Sequence, residues 1–190
     1  MKKPAFFSKL EKEFKSSKSF RGEIIGRSNT ALSFSKRAIF ALHRNDLTGA
    51  KKMLDEAKVL FGKCEKHFVR HPELGYEGAY KAALEEYAEA QIFEGFLKTG
   101  KFGLIDKAAM KGDIYIGGLS DATGEVVRYA VRRATERDED SVKKAHEAVE
   151  IAVEVMLNLD LTGYLRQKFD QAKKNLRALE QMLYDLSLRK

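Results

Sequence analysis

Residues 165–188, LRQKFDQAKKNLRALEQMLYDLSL, carry an apolar side chain at every third or fourth position. This spacing places the apolar side chains on one stripe of an α-helix and is typical of helical bundles and coiled coils. The stripe packs either within the bundle of its own chain or against a second subunit, and the sequence leaves both alternatives open. It consists of Phe169, Ala172, Leu176, Leu179, Leu183 and Leu186.

Helical periodicity recurs along the rest of the chain, separated by turn signals rather than by strand patterns. Only two prolines, Pro4 and Pro72, occur in 190 residues, while Asp46 is placed to cap a helix start and Gly100 a helix end. We expect an all-α bundle of about six to seven helices in one domain, with a flexible or short-helical segment over residues 1–18. The expected helices span about residues 5–15, 20–43, 47–69, 73–98, 117–137, 138–157 and 160–190, with a break at 16–19 and the least regular stretch at 100–113.

The composition suits a polyanionic partner. The chain has 35 Lys and Arg residues against 28 Asp and Glu residues, a formal net charge of +7, although mild basicity alone is a weak signal. The single cysteine, Cys64, excludes an internal disulfide and a Cys-based zinc cluster. No apolar run reaches the roughly 18 residues that cross a bilayer, and the first residues lack the apolar core of a signal peptide. We therefore expect a cytoplasmic protein without membrane contact.

Four acidic residues fall at helical spacing in apolar surroundings. Glu86 and Glu89 lie three apart in ALEEYAEAQIF, and Asp121 and Glu125 lie four apart in GGLSDATGEVVRYAV, so each pair shares one face of its helix. Four unpaired carboxylates brought together would repel one another, and a hard cation such as Mg²⁺ would remove that conflict. By spacing alone, however, the better interpretation is four solvent-facing acids that pair with lysines and arginines.

A di-iron bundle is the helical alternative that also gathers carboxylates in a core. Such sites need Glu-x-x-His pairs on two helices, and none of the four histidines follows a glutamate by three residues. The chain also contains no Walker loop, GxGxxG, HExxH or GxSxG motif. These site classes are excluded.

Four segments together resemble the translin family, and most closely its translin-associated factor X (TRAX) branch in a prokaryotic or archaeal form. The first-helix signature of that branch is similar to SKRAIFALHR (35–44), and its acidic helix is similar to EYAEAQIF (86–93). Its Gly-x-x-Asp-x-Thr-Gly-Glu-x-x-Arg helix is similar to GLSDATGEVVRYAV (118–131), and the C-terminal ending of both branches is similar to LEQMLYDLSLRK (179–190). The resemblance spans about residues 20–190.

The resemblance implies an all-α fold that assembles into large, typically octameric, hollow particles enclosing RNA. In the factor X branch the acidic helices carry a Mg²⁺-dependent endoribonuclease site, and this chain has acids at the four matching positions, Glu86, Glu89, Asp121 and Glu125. It departs from the family where an Asp-Tyr pair is common, because Ile114 precedes the tyrosine. The chain is shorter than the eukaryotic members of the family, which is consistent with a compact prokaryotic-type protein that forms a homo-oligomer without a second type of subunit.

From this resemblance we expect an endoribonuclease that binds and cuts single-stranded RNA. Glu86, Glu89 and Asp121 are expected to hold Mg²⁺, with Mn²⁺ as a substitute, and Glu125 is either a further ligand or a base that orients water. Single-stranded DNA is a second expected ligand. The basic residues favoured for phosphate contacts are Lys36, Arg37, Arg44 and Arg128, with Arg21 and Arg27 as weaker candidates.

Purely structural roles remain as alternatives for several of these residues. A salt bridge to Glu125 is an equally good role for Arg128, and a solvated helix face is the better expectation for any single basic residue. Core packing is the better expectation for most of the aromatic residues that could stack on bases, which are Phe34, Phe40, Tyr76 and Tyr80. For the whole protein, the alternatives are a non-catalytic RNA- or single-stranded-DNA-binding particle and a purely structural helical oligomer.

Overall fold

Six α-helices and one short 3₁₀ helix make up the fold of the residues described by the computed structural model, which are 4–103, 105 and 112–188. No strand occurs among these residues, so the predicted all-α fold is confirmed. The helices are α1 (Ala5–His43), α2 (Leu47–Phe68), α3 (Gly78–Thr99), α4 (Gly112–Thr135), α5 (Glu139–Leu157) and α6 (Gly163–Ser187), with the 3₁₀ helix at Pro72–Tyr76.

The ends of two helices follow the predicted capping signals, and a third helix begins with a similar cap. The Asp46 carboxylate accepts a hydrogen bond from the Gly49 backbone N–H at 2.8 Å and caps α2. Asp138 caps α5 in the same way. Gly100 ends α3 with a left-handed φ of 73°, a conformation in which glycine meets no Cβ penalty.

Two predicted boundaries near the N-terminal half are wrong. The expected break at residues 16–19 does not form, and α1 runs without interruption from Ala5. Serine lowers helix propensity only slightly relative to alanine, and neither glycine nor proline lies in that stretch. The third long helix begins at Gly78 rather than near residue 73, because the preceding residues form the 3₁₀ helix that Pro72 opens.

The predicted start of α4 at Gly117 and Gly118 is also wrong, since the helix begins at Gly112. Both glycines are buried inside α4, where it packs on α3. A Cβ atom added to Gly118 would lie 2.7 Å from the Cβ atom of Ala88 and 2.9 Å from backbone atoms of α3. The glycines therefore permit a close helix crossing, which sets the acidic faces of α3 and α4 beside each other. Half of the expected irregular stretch 100–113 falls outside the described residues, and its last two residues, Gly112 and Asp113, already belong to α4.

Two neighbouring apolar clusters form the core. The larger lies mainly among α1, α2, α3 and α4, and the smaller joins α3 and α4 to α5 and α6. Phe169, Ala172 and Leu179 of the α6 stripe are buried in these clusters, and the other three leucines of the stripe pack against the larger one. The stripe thus packs within its own chain, as the first of the two alternatives expects. Cys64 is buried in the larger cluster.

The described helices contain no candidate for a membrane span, because none of them combines the necessary length with sufficient apolar character.

Candidate functional site

The crossing of α3 and α4 brings the four predicted carboxylates into one electrostatic cluster. Glu89 is 9% exposed, and its pKa is raised from 4.5 to about 9, chiefly by burial. The charges of Glu86, Asp121 and Glu125 contribute to this rise, so these groups lie close enough to interact, and the charge of Lys168 opposes it. We name Glu86, Glu89, Asp121 and Glu125 the carboxylate cluster.

The other members of the carboxylate cluster are less deeply placed and have cations nearby. Burial raises the pKa of Glu86, an effect that the Lys36 ammonium 3.9 Å away opposes and that Asp121 and Glu125 reinforce. Burial also raises the pKa of Asp121, while hydrogen bonding to Lys168 acts in the opposite direction. Repulsion among the acids is therefore only partly offset by these cations.

The Asp121 side of the cluster contains three residues that the sequence did not reveal. The Lys168 ammonium contacts the Asp121 carboxylate and lies 2.7 Å from Oε1 of Glu85. The Tyr164 hydroxyl donates to the same Glu85 oxygen at 2.5 Å. Burial lowers the pKa of Lys168, but its hydrogen bonds to Asp121, Glu85 and Tyr164 outweigh that effect and raise it. Glu85 stood beside Glu86 in the sequence, whereas no motif marked Lys168 on the distant α6.

Glu125 has a different partner on the other side of the cluster. Its carboxylate contacts Nε2 of the buried His43, whose ring lies 4.7 Å, centroid to centroid, from that of Phe93. The Arg132 guanidinium donates to the His43 backbone carbonyl and so ties the end of α1 to α4. The Arg128 guanidinium is 3.8 Å from Glu125, a distance that meets the salt-bridge alternative for this arginine. His43 had no recognised role in the sequence interpretation.

The carboxylate cluster has the donor atoms for a metal ion, but its present contacts occupy some of them. Carboxylate oxygens are the donors that Mg²⁺ prefers, and a divalent cation would relieve the repulsion that raises the pKa of Glu89. In the described ranges of the chain, however, no three side chains of Asp, Glu, His or Cys are grouped to hold a metal. Asp121 and Glu125 instead contact Lys168 and His43. The donor chemistry fits, but a metal would have to share or replace these contacts.

Two of the four favoured basic residues flank the carboxylate cluster. Lys36 approaches Glu86, and Arg128 approaches Glu125 while lying 5.3 Å from the centre of the Phe40 ring. Phe40 is 52% exposed, although its neighbours Ile39 and Ala41 are buried in the core. This arrangement places two cations and an exposed aromatic ring at the rim of the acidic site.

The remaining candidates for phosphate contact differ in surroundings. Arg37 is exposed, with its guanidinium 5.9 Å from the Phe34 ring, and Arg44 is exposed at the end of α1. The weaker candidates form ion pairs with acids outside the carboxylate cluster, Arg21 with Glu77 and Arg27 with Glu23.

The three other aromatic candidates split between core and surface. Tyr80 is buried and donates to Glu65, so core packing is confirmed for it. Phe34 is partly buried against the larger core cluster. Tyr76 is exposed at the end of the 3₁₀ helix.

Comparison with known proteins identifies the family of the chain. The translin family profile matches residues 19–190, and the chain therefore belongs to the translin family. This confirms the family resemblance seen in the sequence. Comparison with curated protein sequences found no match.

Three solved structures share the fold over almost the whole chain. The structure of apo-NeC3PO has a TM-score of 0.86 at 21% identity and covers 98% of this chain and 99% of that one. AfC3PO has a TM-score of 0.87 at 22% identity, covering 97% and 98%. The AfC3PO complex with duplex RNA has a TM-score of 0.88 at 21% identity, covering 97% of each chain. At these identities the likeness concerns the fold.

Proposed function

We propose that this translin-family protein is a metal-dependent endoribonuclease that binds RNA and cuts it at the carboxylate cluster. The observation that carries the proposal is the burial of Glu89 among three other acids, which raises its pKa to about 9. Such a group destabilises the metal-free fold at neutral pH, and strongly perturbed acids in a shared cluster are typical of functional sites. A purely structural helix crossing would be better served by an apolar residue.

The roles of the four acids follow from their surroundings. Glu86, Glu89 and Asp121 are the proposed Mg²⁺ ligands, with Mn²⁺ as a substitute, and they bind directly or through water. When bound, the metal ion would lower the pKa of a coordinated water and stabilise negative charge on the scissile phosphate. Glu125 is held by His43 at the edge of the cluster, a position that suits a group orienting water as well as a fourth ligand.

The rim residues provide a path for the phosphate backbone. Lys36 and Arg128 flank the acids, and their charges would offset the repulsion between RNA phosphates and the carboxylate cluster. Arg37 and Arg44 extend the basic surface of α1. The exposed ring of Phe40 offers a stacking surface for a base. None of these contacts reads base edges in a fixed pattern, so little sequence specificity is expected.

The preferred form of RNA is part of the proposal. We propose single-stranded RNA as the substrate, and single-stranded DNA as a weaker ligand, since an unpaired strand can place a phosphate against recessed acids more easily than a rigid duplex. One structural neighbour, AfC3PO, was solved with duplex RNA, so duplex RNA belongs in the same assay.

The acids at all four positions favour the factor X branch of the family. A cytoplasmic homo-oligomer, expected to be an octamer, remains a prediction.

A cleavage assay tests this function. Labelled single-stranded and duplex RNA are incubated with the protein in Mg²⁺, in Mn²⁺ or in EDTA. Glu89→Gln and Asp121→Asn should each abolish the metal-dependent cleavage without changing the oligomer size in analytical ultracentrifugation. Glu154→Gln, which changes an exposed acid on α5, should cleave like the wild type. Undiminished turnover in both cluster variants would refute the assignment.

A non-catalytic RNA- or single-stranded-DNA-binding particle is the second candidate. It is favoured by the contacts that Lys168 and His43 make with Asp121 and Glu125, which leave no ready-made set of three ligands in the described residues. For this candidate, RNA binding would weaken with salt as expected for phosphate contacts, yet no cleavage would appear in either metal ion.

A further inference from the structure

Lys168 differs from the surface lysines of this chain in being fixed from two directions. Its side chain is 16% exposed and its ammonium contacts both Asp121 and Glu85, the latter at 2.7 Å. Its own backbone carbonyl accepts a hydrogen bond from the Ser120 hydroxyl at 2.6 Å. Side chain and backbone thus join α6 to α3 and α4 beside the carboxylate cluster.

The anchoring of Lys168 extends through a second layer. Tyr164, one turn earlier on α6, donates to the Glu85 oxygen that also receives the ammonium. The ammonium lies 5.2 Å from the centre of the Tyr164 ring. Glu85 and Tyr164 therefore hold the cation in place, and Asp121 is the member of the carboxylate cluster toward which it is held.

The position of this cation has a consequence for metal binding. A divalent ion that takes Asp121 as a ligand must approach a carboxylate already occupied by an ammonium group. Two cations within a few ångströms of each other in a partly buried site repel strongly, because little water screens them. Metal and ammonium therefore compete for the same carboxylate.

We propose that Lys168 is the counter-cation of the metal-free site, a positioning residue that holds Asp121 in place and competes with the divalent ion for it. The inference rests on the proposed function, since it assumes that the carboxylate cluster binds metal. Lys168 stabilises the metal-free protein by neutralising part of the cluster, and it lowers the affinity for the metal at the same time. This role makes an unusual prediction, because removing a merely structural residue would weaken metal binding, whereas removing a competitor strengthens it.

The experiment measures Mn²⁺ binding to the full chain at neutral pH. The two methods are isothermal titration calorimetry and the loss of the electron paramagnetic resonance signal of free Mn²⁺. Lys168→Met should bind Mn²⁺ about tenfold more tightly or better, since the competing charge is gone. Lys168→Gln keeps a hydrogen-bond donor without the charge and should bind Mn²⁺ as tightly as Lys168→Met. If Lys168→Met does not fold, the affinity of Lys168→Gln tests the proposal. Lys168→Arg keeps the charge and should retain the affinity of the wild type.

A second lysine of α6 provides the matched control. Lys173 pairs with Asp170 at 2.8 Å and lies over the Phe169 ring, outside the carboxylate cluster. Lys173→Met should bind Mn²⁺ like the wild type.

The outcomes separate the two proposals. If Glu89→Gln impairs Mn²⁺ binding while Lys168→Met and Lys168→Gln bind no more tightly than the wild type, the role of Lys168 is refuted and the metal site stands. If the wild type and Glu89→Gln bind Mn²⁺ equally, or neither binds it, the metal site is refuted and the role of Lys168 with it.

Discussion

Replacing Glu89 by glutamine should stabilise the metal-free protein while abolishing its proposed activity. Burial and neighbouring acids raise the pKa of Glu89 from 4.5 to about 9 in the fold, so the folded state keeps a proton that the unfolded chain releases. Between these two values the folded state binds one more proton than the unfolded state. Stability due to this group is therefore lost as pH rises through that window.

The magnitude follows from the same two values. One proton of difference makes the free energy of unfolding fall by about 1.4 kcal/mol per pH unit. From the ordinary pKa to neutral pH this amounts to about 3 kcal/mol. Glutamine matches the shape of the protonated acid and does not titrate, so Glu89→Gln should be more stable than the wild type by up to that amount at neutral pH. The two proteins should converge at acidic pH.

The assay is urea unfolding followed by circular dichroism, in EDTA, at one fixed protein concentration and several pH values. Fixed concentration matters because the stability of an oligomer depends on it. Glu154→Gln, on the exposed surface of α5, is the control and should keep the pH dependence of the wild type. Added Mg²⁺ should stabilise the wild type toward high pH, since metal favours the ionised acid, and should affect Glu89→Gln much less. Identical pH slopes for the wild type and Glu89→Gln would show that Glu89 is ionised in the fold and would refute the reasoning.

Three further predictions concern packing, capping and RNA binding. Gly118→Ala should cost about 1–3 kcal/mol of stability in thermal unfolding, because its Cβ would lie 2.7 Å from α3, whereas Gly62→Ala, with open space at its Cβ, should be neutral or slightly stabilising. Asp46→Ala should lose about 1 kcal/mol in the same measurement, since it removes the cap of α2. Lys36→Ala and Arg128→Ala should each weaken RNA binding and reduce its dependence on salt by about one phosphate contact, as measured by fluorescence anisotropy in a salt series. An unchanged salt slope in both would place the RNA path elsewhere.

The elements of the fold were largely predictable, and the errors have a common origin. Caps such as Asp46 and Gly100 act within one or two turns, so a local reading found them. The local sequence predicts a helix start at Gly117 and Gly118, because glycine often marks the boundary of a helix. Both lie inside α4, where a Cβ atom at Gly118 would collide with Ala88 and with the backbone of α3. No local pattern distinguishes these two uses of glycine.

In the candidate site, too, the local sequence predicted some features and missed others. The spacing of Glu86 and Glu89, and of Asp121 and Glu125, predicted that each pair shares a helix face. By that spacing alone the better interpretation was four surface acids, and the burial of Glu89 shows that this interpretation fails for at least one of them. Resemblance to a family supplied the functional expectation that spacing could not.

The sequence by itself determined the helical periodicity, the capped ends and the pairing of acids along each helix, because these depend on neighbours within a few residues. Only the tertiary structure decided which helix faces meet. It placed Lys168, 47 residues beyond Asp121, and His43, 82 residues before Glu125, against the acids that they contact. Such contacts depend on how helices cross, and the crossing of α3 and α4 is set by packing at Gly118. The charge balance of the carboxylate cluster, and with it the expected competition between ammonium and metal, is therefore a property of the folded chain.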